Sequence, residues 1–327
     1  MTDPGSAPGG APPVVSPIAD LTYRHYDGPL NSRAFRFWIV ALVGIRQVMR
    51  KWWFWLLVLG SVWPYGLIGF FFFLESRLGD DLPRTFLNAA PGAKYSTAFF
   101  QAFDWQMFWL MVIGLSVGAA SIAADNKTNA LQVYLAKPIT KTDYLLGKWM
   151  GVFSVVFAAA LLPALLLYTY CLLSFWSNGF LRQEPWLIFK ILGASASAAA
   201  GFASLFIGVS AWSRSPMMAG AFSAGMYFAS GIVATILWAA LYGRSSASTD
   251  ITNAVLVQHA SIGGVLKALV WNIYDVTVRM PTPGRMFMPT DVRAPSLGFV
   301  LVAYLAIVIG GLVAARLRIR AVEVVTG

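Results

Sequence analysis

Residue types that carry covalent or metal chemistry are scarce in this chain. Its 327 residues include two histidines and one cysteine. No Ser/His/Asp set, no paired carboxylates inside an apolar run and no metal-ligand spacing can be found, and a hydrolase would need such groups to converge. No G-x-x-x-x-G-K-[ST] phosphate loop is present, because Gly92-Ala93-Lys94 lacks the required glycine spacing. The chain is therefore expected not to be an enzyme, with no metal and no cofactor of its own. Two polar features remain. One is Asp104 with Gln101 at the edge of a long apolar run, a candidate pathway site or a carboxylate of the headgroup zone. The other is ADNKTNALQVYLAKPITKTDYLLGKW, Ala124 to Trp149, a polar stretch pinned between two apolar runs. A well-structured polar loop in such surroundings has something to dock against.

The elements that must position these residues follow from composition. Hydrophobic residues make up 58% of the chain and charged ones 12%, with mean hydropathy +0.66. Soluble domains carry about 25% charged residues, so this chain belongs in a bilayer. The net charge of +10 does not imply nucleic acid. Its basic residues gather at the ends of apolar segments, where they meet anionic headgroups and set topology. Cys171 alone allows no disulfide within the chain.

A bilayer core takes about 20 apolar residues in helix. The fold class expected is an all-α integral membrane protein with six spans, near 52–74, 99–124, 149–175, 188–213, 216–242 and 294–315. Pro64 and Pro163 fall inside the first and third. With the N-terminus inside, the inner segments hold the majority of the 24 Lys and Arg while the acids run the other way. This places both termini in the cytoplasm. The small-residue run from Gly193 to Gly201 marks close helix packing, within the chain, at a subunit interface or along a pore.

Residues 1–31 form a Pro/Gly/Ala/Ser-rich tail that is expected to be disordered. It lacks the basic and apolar regions of a signal peptide. Residues 32–51 read as an amphipathic interfacial helix. Arg33, Arg36, Gln47 and Arg50 share one stripe, Arg46 adds a further charge, and Phe35, Trp38, Ile39, Leu42, Ile45 and Met49 lie opposite. Such a helix anchors the first span or, as an elbow, touches a cytoplasmic partner. The outer loop 243–293 contains an apolar stretch, 251–271, that is too polar for an ordinary span because of His259, Gly263, Gly264 and Lys267. It suits an interfacial or re-entrant helix. Beyond it, Pro281, Pro283 and Pro289 predict irregular chain.

The polar stretch itself reads as helix, break, helix. Asp125 or Asn126 caps a short helix with Leu131, Tyr134 and Leu135 on its apolar face and Thr128, Asn129 and Gln132 on its polar one. Pro138 stops it. Thr140-Lys141-Thr142-Asp143 reads as a capping box for the next helix.

At these residues the chain resembles the permease family of ABC transporters of the second exporter type. That family's loop after span two follows D-x-x-x-x-x-L-x-x-Y-L-x-x-P-[IL]-[ST]-x-x-x-Y-L-L-G-K. Asp125, Leu131, Tyr134, Leu135, Pro138, Ile139, Thr140, Tyr144, Leu145, Leu146, Gly147 and Lys148 match in order. The short turn Ser213-Arg214-Ser215-Pro216 and the basic exit Arg316 to Val325 also fit, and coverage runs from about residue 30 to 325. The resemblance implies a membrane-spanning subunit of the cell (inner) membrane, paired with a second copy or a paralogue. Two separate ABC ATPases would use ATP and Mg. The loop would be the cytoplasmic coupling helix, with Asp125, Asn126, Thr128, Leu131, Gln132, Tyr134, Leu135, Pro138, Ile139, Thr140 and Asp143 as coupling residues. Export of a hydrophobic or amphipathic substrate is the expected activity. The alternative is a mechanotransmitting or scaffold subunit that drives an extracytoplasmic protein docked on loop 243–293. An ATPase-independent channel or secondary transporter ranks last, since mid-span polar residues and repeat symmetry are sparse.

Overall fold

In hydrocarbon every backbone polar group must be answered within the protein, and long helices do this most simply. The structure, a computed structural model, describes residues 36–78, 94–128, 130, 140–177, 179–242, 251–282 and 285–319. The readings made for residues 1–31, Arg33, Asn129, Leu131, Gln132, Tyr134, Leu135, Pro138, Ile139 and the tail beyond Ile319 lie outside them. The helices are α1 Arg36–Met49, α2 Trp52–Leu78, α3 Lys94–Lys127, α4 Lys141–Ser174, α5 Phe180–Gln183, α6 Leu187–Trp212, α7 Pro216–Tyr242, α8 Ile251–Gln258, α9 Ile262–Tyr274 and α10 Leu297–Arg318. Six of them, α2, α3, α4, α6, α7 and α10, are long and apolar enough to cross a bilayer. These match the six expected spans to within a few residues, except that α3 and α4 extend by five and eight residues at their N-terminal ends.

Helix α6 is the axis. Within its apolar stretch 72% of residues are buried, against 6% in α7 and α10. The small residues expected to pack closely do so within the chain. A Cβ on Gly201 would strike the Leu266 side chain of α9, and one on Gly208 would come within 2.9 Å of the Gly311 Cα of α10. Trp212 Nε1 donates to Ala314 O at 2.9 Å and the Tyr304 hydroxyl to Ser197 O at 2.9 Å, fixing α10 along α6. On the other side the Ser210 hydroxyl wedges into the backbone of α3. It donates to Ala119 O at 2.7 Å and accepts from Ile122 N at 3.0 Å and Ala123 N at 2.9 Å. Trp149 Nε1 of α4 donates to Ser204 Oγ at 2.8 Å.

Pro163 creates a specific need in α4. Proline has no N–H, so the carbonyl four residues back, Ala159 O, loses its helical donor. Gln106, fully buried on α3, supplies one through Nε2 at 2.9 Å, with Ser61 Oγ of α2 at 3.5 Å. A proline in one span thereby accounts for a glutamine in the next.

Between α7 and α10 the chain turns back into the bundle. Helix α9 starts at mid-height: Ile262 N donates to Ser230 Oγ at 3.2 Å, and Gly263 lies against the hydroxyl of Tyr227, both near the middle of α7. It ends beside the start of α6, where Lys190 Nζ donates to Tyr274 O at 2.9 Å. Thirteen residues rise about 20 Å, so α9 climbs roughly half a span. Of the interfacial and re-entrant readings, this is the re-entrant one. Ser261 caps it, its side chain accepting from Gly264 N at 2.9 Å. The proline-rich segment that follows departs from expectation. Instead of irregular chain it forms an antiparallel ribbon, β1 Val278–Thr282 with β2 Arg285–Val292, so the all-α reading holds for the spans and not for this loop. The pairing shifts register between Met280 and Thr282, at Pro281, the kind of irregularity at which a strand tolerates proline.

Two stability predictions follow from this packing. Gln106→Leu leaves Ala159 O without its closest donor and costs about 1–3 kcal/mol. Adding Pro163→Ala, which restores an N–H to the α4 ladder, recovers most of the loss in thermal unfolding in detergent. Gly311→Ala costs about 1–3 kcal/mol through overpacking. Gly310→Ala, one residue away with nothing within 4 Å, is neutral or gains up to about 1 kcal/mol.

Candidate functional site

The loop that follows α3 is framed at both ends by described residues. Helix α3 does not stop at Asp125 to let a new helix begin there, as the sequence suggested; it runs on to Lys127. The reason is that the Asp125 carboxylate is engaged elsewhere. It accepts from the Tyr144 hydroxyl at 2.6 Å and pairs with Lys148 Nζ at 2.8 Å. Tyr144 and Lys148 are four residues apart on α4 and so share one face. Lys148 also donates to Ser121 O at 2.9 Å. Only 15% of the Asp125 side chain and 14% of the Lys148 side chain is exposed, so the pair is shielded from much of the screening that weakens surface ion pairs.

Asn126 belongs to the same frame. Its Nδ2 donates to Ala211 O at 3.2 Å and Ser213 O at 3.1 Å, answering carbonyls left open where α6 ends. The Thr128 hydroxyl donates to Ala124 O at 3.1 Å and finishes α3. Past the loop, Thr140 and Asp143 make the expected capping box. Asp143 N donates to Thr140 Oγ1 at 3.1 Å and Thr140 N to Asp143 Oδ2 at 3.2 Å.

Helix α1 seals this end. A Cβ on Gly147 would sit 2.6 Å from Phe37 O and 2.7 Å from Val40 Cβ, and one on Gly151 would be 3.4 Å from Ala41 O. Val40 and Ala41 are buried there, whereas Val43, Arg46 and Arg50 are exposed and Arg36 is half-buried. The spacing Tyr144-x-x-Gly147-Lys148 thus has a physical content: two polar groups grip Asp125 while the glycine admits α1.

The second polar feature lies toward the other end of the bundle. Asp104 of α3 pairs with Lys267 of the re-entrant α9, Nζ lying 2.8 Å from Oδ1 and 2.9 Å from Oδ2. Gln101, one turn earlier, is half-buried. Asp104 and Lys267 line a cavity of about 590 Å³ shared with Phe108, Tyr227, Ile232 and Ile236. A larger cavity of about 650 Å³, almost wholly apolar, lies among α6, α7 and α10. The sequence pointed to Asp104 and to the polarity of Lys267 but gave no means of pairing them. Tyr227 and Ser210 went unnoticed, because a tyrosine or serine in an apolar run carries no distinguishing pattern. Lys190, at the start of α6, is held by Ser96 Oγ at 3.1 Å, Tyr274 O at 2.9 Å and Glu184 at 3.5 Å. Among the described residues no cluster of three or more His, Cys, Asp or Glu could hold a metal.

The family model described as ABC-2 family transporter protein matches residues 38–309, from within α1 to within α10. No curated protein matches the chain.

A double-mutant cycle tests the frame. Asp125→Asn, Lys148→Met and the combined variant should give a coupling of about 1–3 kcal/mol in detergent unfolding. A coupling near zero would mean that the pair is solvated and holds nothing together.

Proposed function

The chain belongs to the ABC-2 transporter family, and from that premise we propose that it is the membrane-spanning permease subunit of an ABC transporter. Two copies, or one copy and a paralogue, pair in the cell (inner) membrane with both termini cytoplasmic. Two separate ABC ATPases bind below, and ATP hydrolysis with Mg takes place on them and not on this chain. The loop between α3 and α4 is the coupling segment.

The observation that carries this reading is the framing of that loop. Force reaches a membrane helix only through a segment that does not absorb it. Here the loop leaves α3 beside an aspartate locked to α4 and enters α4 through a closed capping box. α1, laid across Gly147 and Gly151, supports the same corner and acts as the elbow. Arg46 and Arg50 on its exposed side suit anionic headgroups. The cargo is hydrophobic or amphipathic, a reading supported by cavities walled largely with apolar side chains, and its direction is export. The scaffold alternative would use the outer loop for docking an extracytoplasmic protein. Against it, α9 turns its apolar side chains, Leu266 and Trp271 among them, into the bundle, where both are buried, which favours the permease reading.

Purification of the full chain from its native membrane in mild detergent tests the proposal. An ABC ATPase recovered at one-to-one stoichiometry is expected. Leu131→Asp with Tyr134→Asp should remove that ATPase from the preparation without lowering the thermal stability of the chain. Recovery without an ATPase would overturn the reading, and an additional extracytoplasmic protein held in stoichiometric amount would turn it to the scaffold alternative.

A further inference from the structure

The Asp104–Lys267 pair sits where charges are costly. α9 begins at the middle of α7, and Lys267 stands five residues above that point, about 7–8 Å along the helix axis. Both partners therefore lie at hydrocarbon depth. Intramembrane charges are retained when they have work to do. The pair holds α9 against α3, but it is not sealed. About a quarter of the Asp104 side chain and 31% of the Lys267 side chain remain exposed, and both line the 590 Å³ cavity. The hydroxyl of Tyr227, another lining side chain, shares that cavity. It makes no hydrogen bond among the described residues, and the missing side chain of Gly263 leaves room for it, since a Cβ there would lie 2.6 Å from the hydroxyl oxygen. The remaining wall is apolar, with Phe108, Phe228, Ile232 and Ile236.

We propose that this cavity binds the headgroup of a zwitterionic amphiphile, with its ammonium on Asp104, its phosphate or carboxylate on Lys267 and Tyr227, and its chain along the apolar wall. The reason is charge balance. A cationic ligand that engages Asp104 strands Lys267 without a counter-charge in a low-dielectric site, and an anionic ligand strands Asp104. Breaking one side of a buried pair is far more costly than replacing both sides. A zwitterion replaces both at once, each protein charge exchanging one partner for another of the same sign. The two sources of this chemistry are a transported cargo and a resident membrane lipid. The cargo role rests on the permease reading; the recognition of the headgroup does not.

The experiment uses the full chain in dodecyl maltoside, an uncharged detergent, with a phosphocholine probe bearing a diazirine in its chain. Dodecylphosphocholine should suppress labelling at about tenfold lower concentration than dodecyl phosphate or dodecyltrimethylammonium. The labelled peptides should contain Phe108 or Ile232. Lys267→Gln should shift the preference to dodecyltrimethylammonium and Asp104→Asn to dodecyl phosphate. The charge-exchanged double variant, Asp104→Lys with Lys267→Asp, should restore the zwitterion preference. Equal competition by the three amphiphiles on the unaltered chain, or labelling confined to other peptides, overturns the proposal even if a variant fails to fold. In the ATPase-loaded complex, loss of labelling on addition of ATP identifies cargo, and retention identifies a resident lipid. Absence of an ATPase partner would sink the permease reading and leave the competition result standing.

Discussion

The close approach of small residues along α6 is the contact on which the other helices depend. Lipid tails are as apolar as leucine, so helices in a bilayer gain from touching only when their surfaces interlock and their polar groups meet. Gly208 against Gly311, Gly201 against Leu266 and Ser210 against the α3 backbone are three such contacts, made with three different helices. A larger side chain at any of them would push a neighbour outward, with the loss of the hydrogen bonds that run alongside. α7 and α10, buried over only 6% of their apolar stretches, leave most of their surface to lipid or to another subunit, while α6 leaves little.

Polar groups inside the bundle are placed by need. Pro163 frees a carbonyl and Gln106 answers it. The end of α6 leaves carbonyls that Asn126 answers. Lys190 enters a cluster with Glu184, Ser96 and the last carbonyl of α9. Gln106, Asn126 and Lys190 each reach a carbonyl on another helix more than 50 residues away, so each also fixes a depth and a rotation. Apolar packing alone would leave helices in lipid free to slide against one another; these bonds do not.

The sequence carried the spans clearly, because a run of about 20 apolar residues has few other destinations. The capping box at Thr140 and Asp143 was legible for a similar reason, since its chemistry is local. Asp125 was harder. An aspartate before a polar stretch reads as a cap by its type, and only the fold places Tyr144 and Lys148, 19 and 23 residues onward, within reach of it. The ribbon at Val278–Val292 was missed because three prolines argue against a strand, while an edge ladder with a register shift accommodates one at the irregularity. The re-entrant path of α9 stood as one of two readings, since hydropathy gives no depth. It took the contacts of Ile262 with Ser230 and of Tyr274 with Lys190 to fix the two ends of the helix at different heights.

Helix α3 connects the two polar sites. Asp104 and Asp125 stand on one continuous helix, 21 residues apart and so about 31 Å along the axis. One is bound to α9 and the other to α4, and between them Ser210 of α6 enters the α3 backbone at Ala119 to Ala123. A side chain inserted in the helical ladder is a natural place for a helix to bend. Under the permease reading, a movement imposed at the loop reaches the cavity by one of two routes. If α3 stays straight, the shift of Asp125 is delivered to Asp104 and must be met by Lys267. If α3 bends at the Ser210 wedge, the lower segment moves with α4 and the upper segment stays with α9. The ion pair at each end and the wedge between them therefore set the mechanics together: two charged contacts define what is carried, and one serine determines how much of the helix carries it.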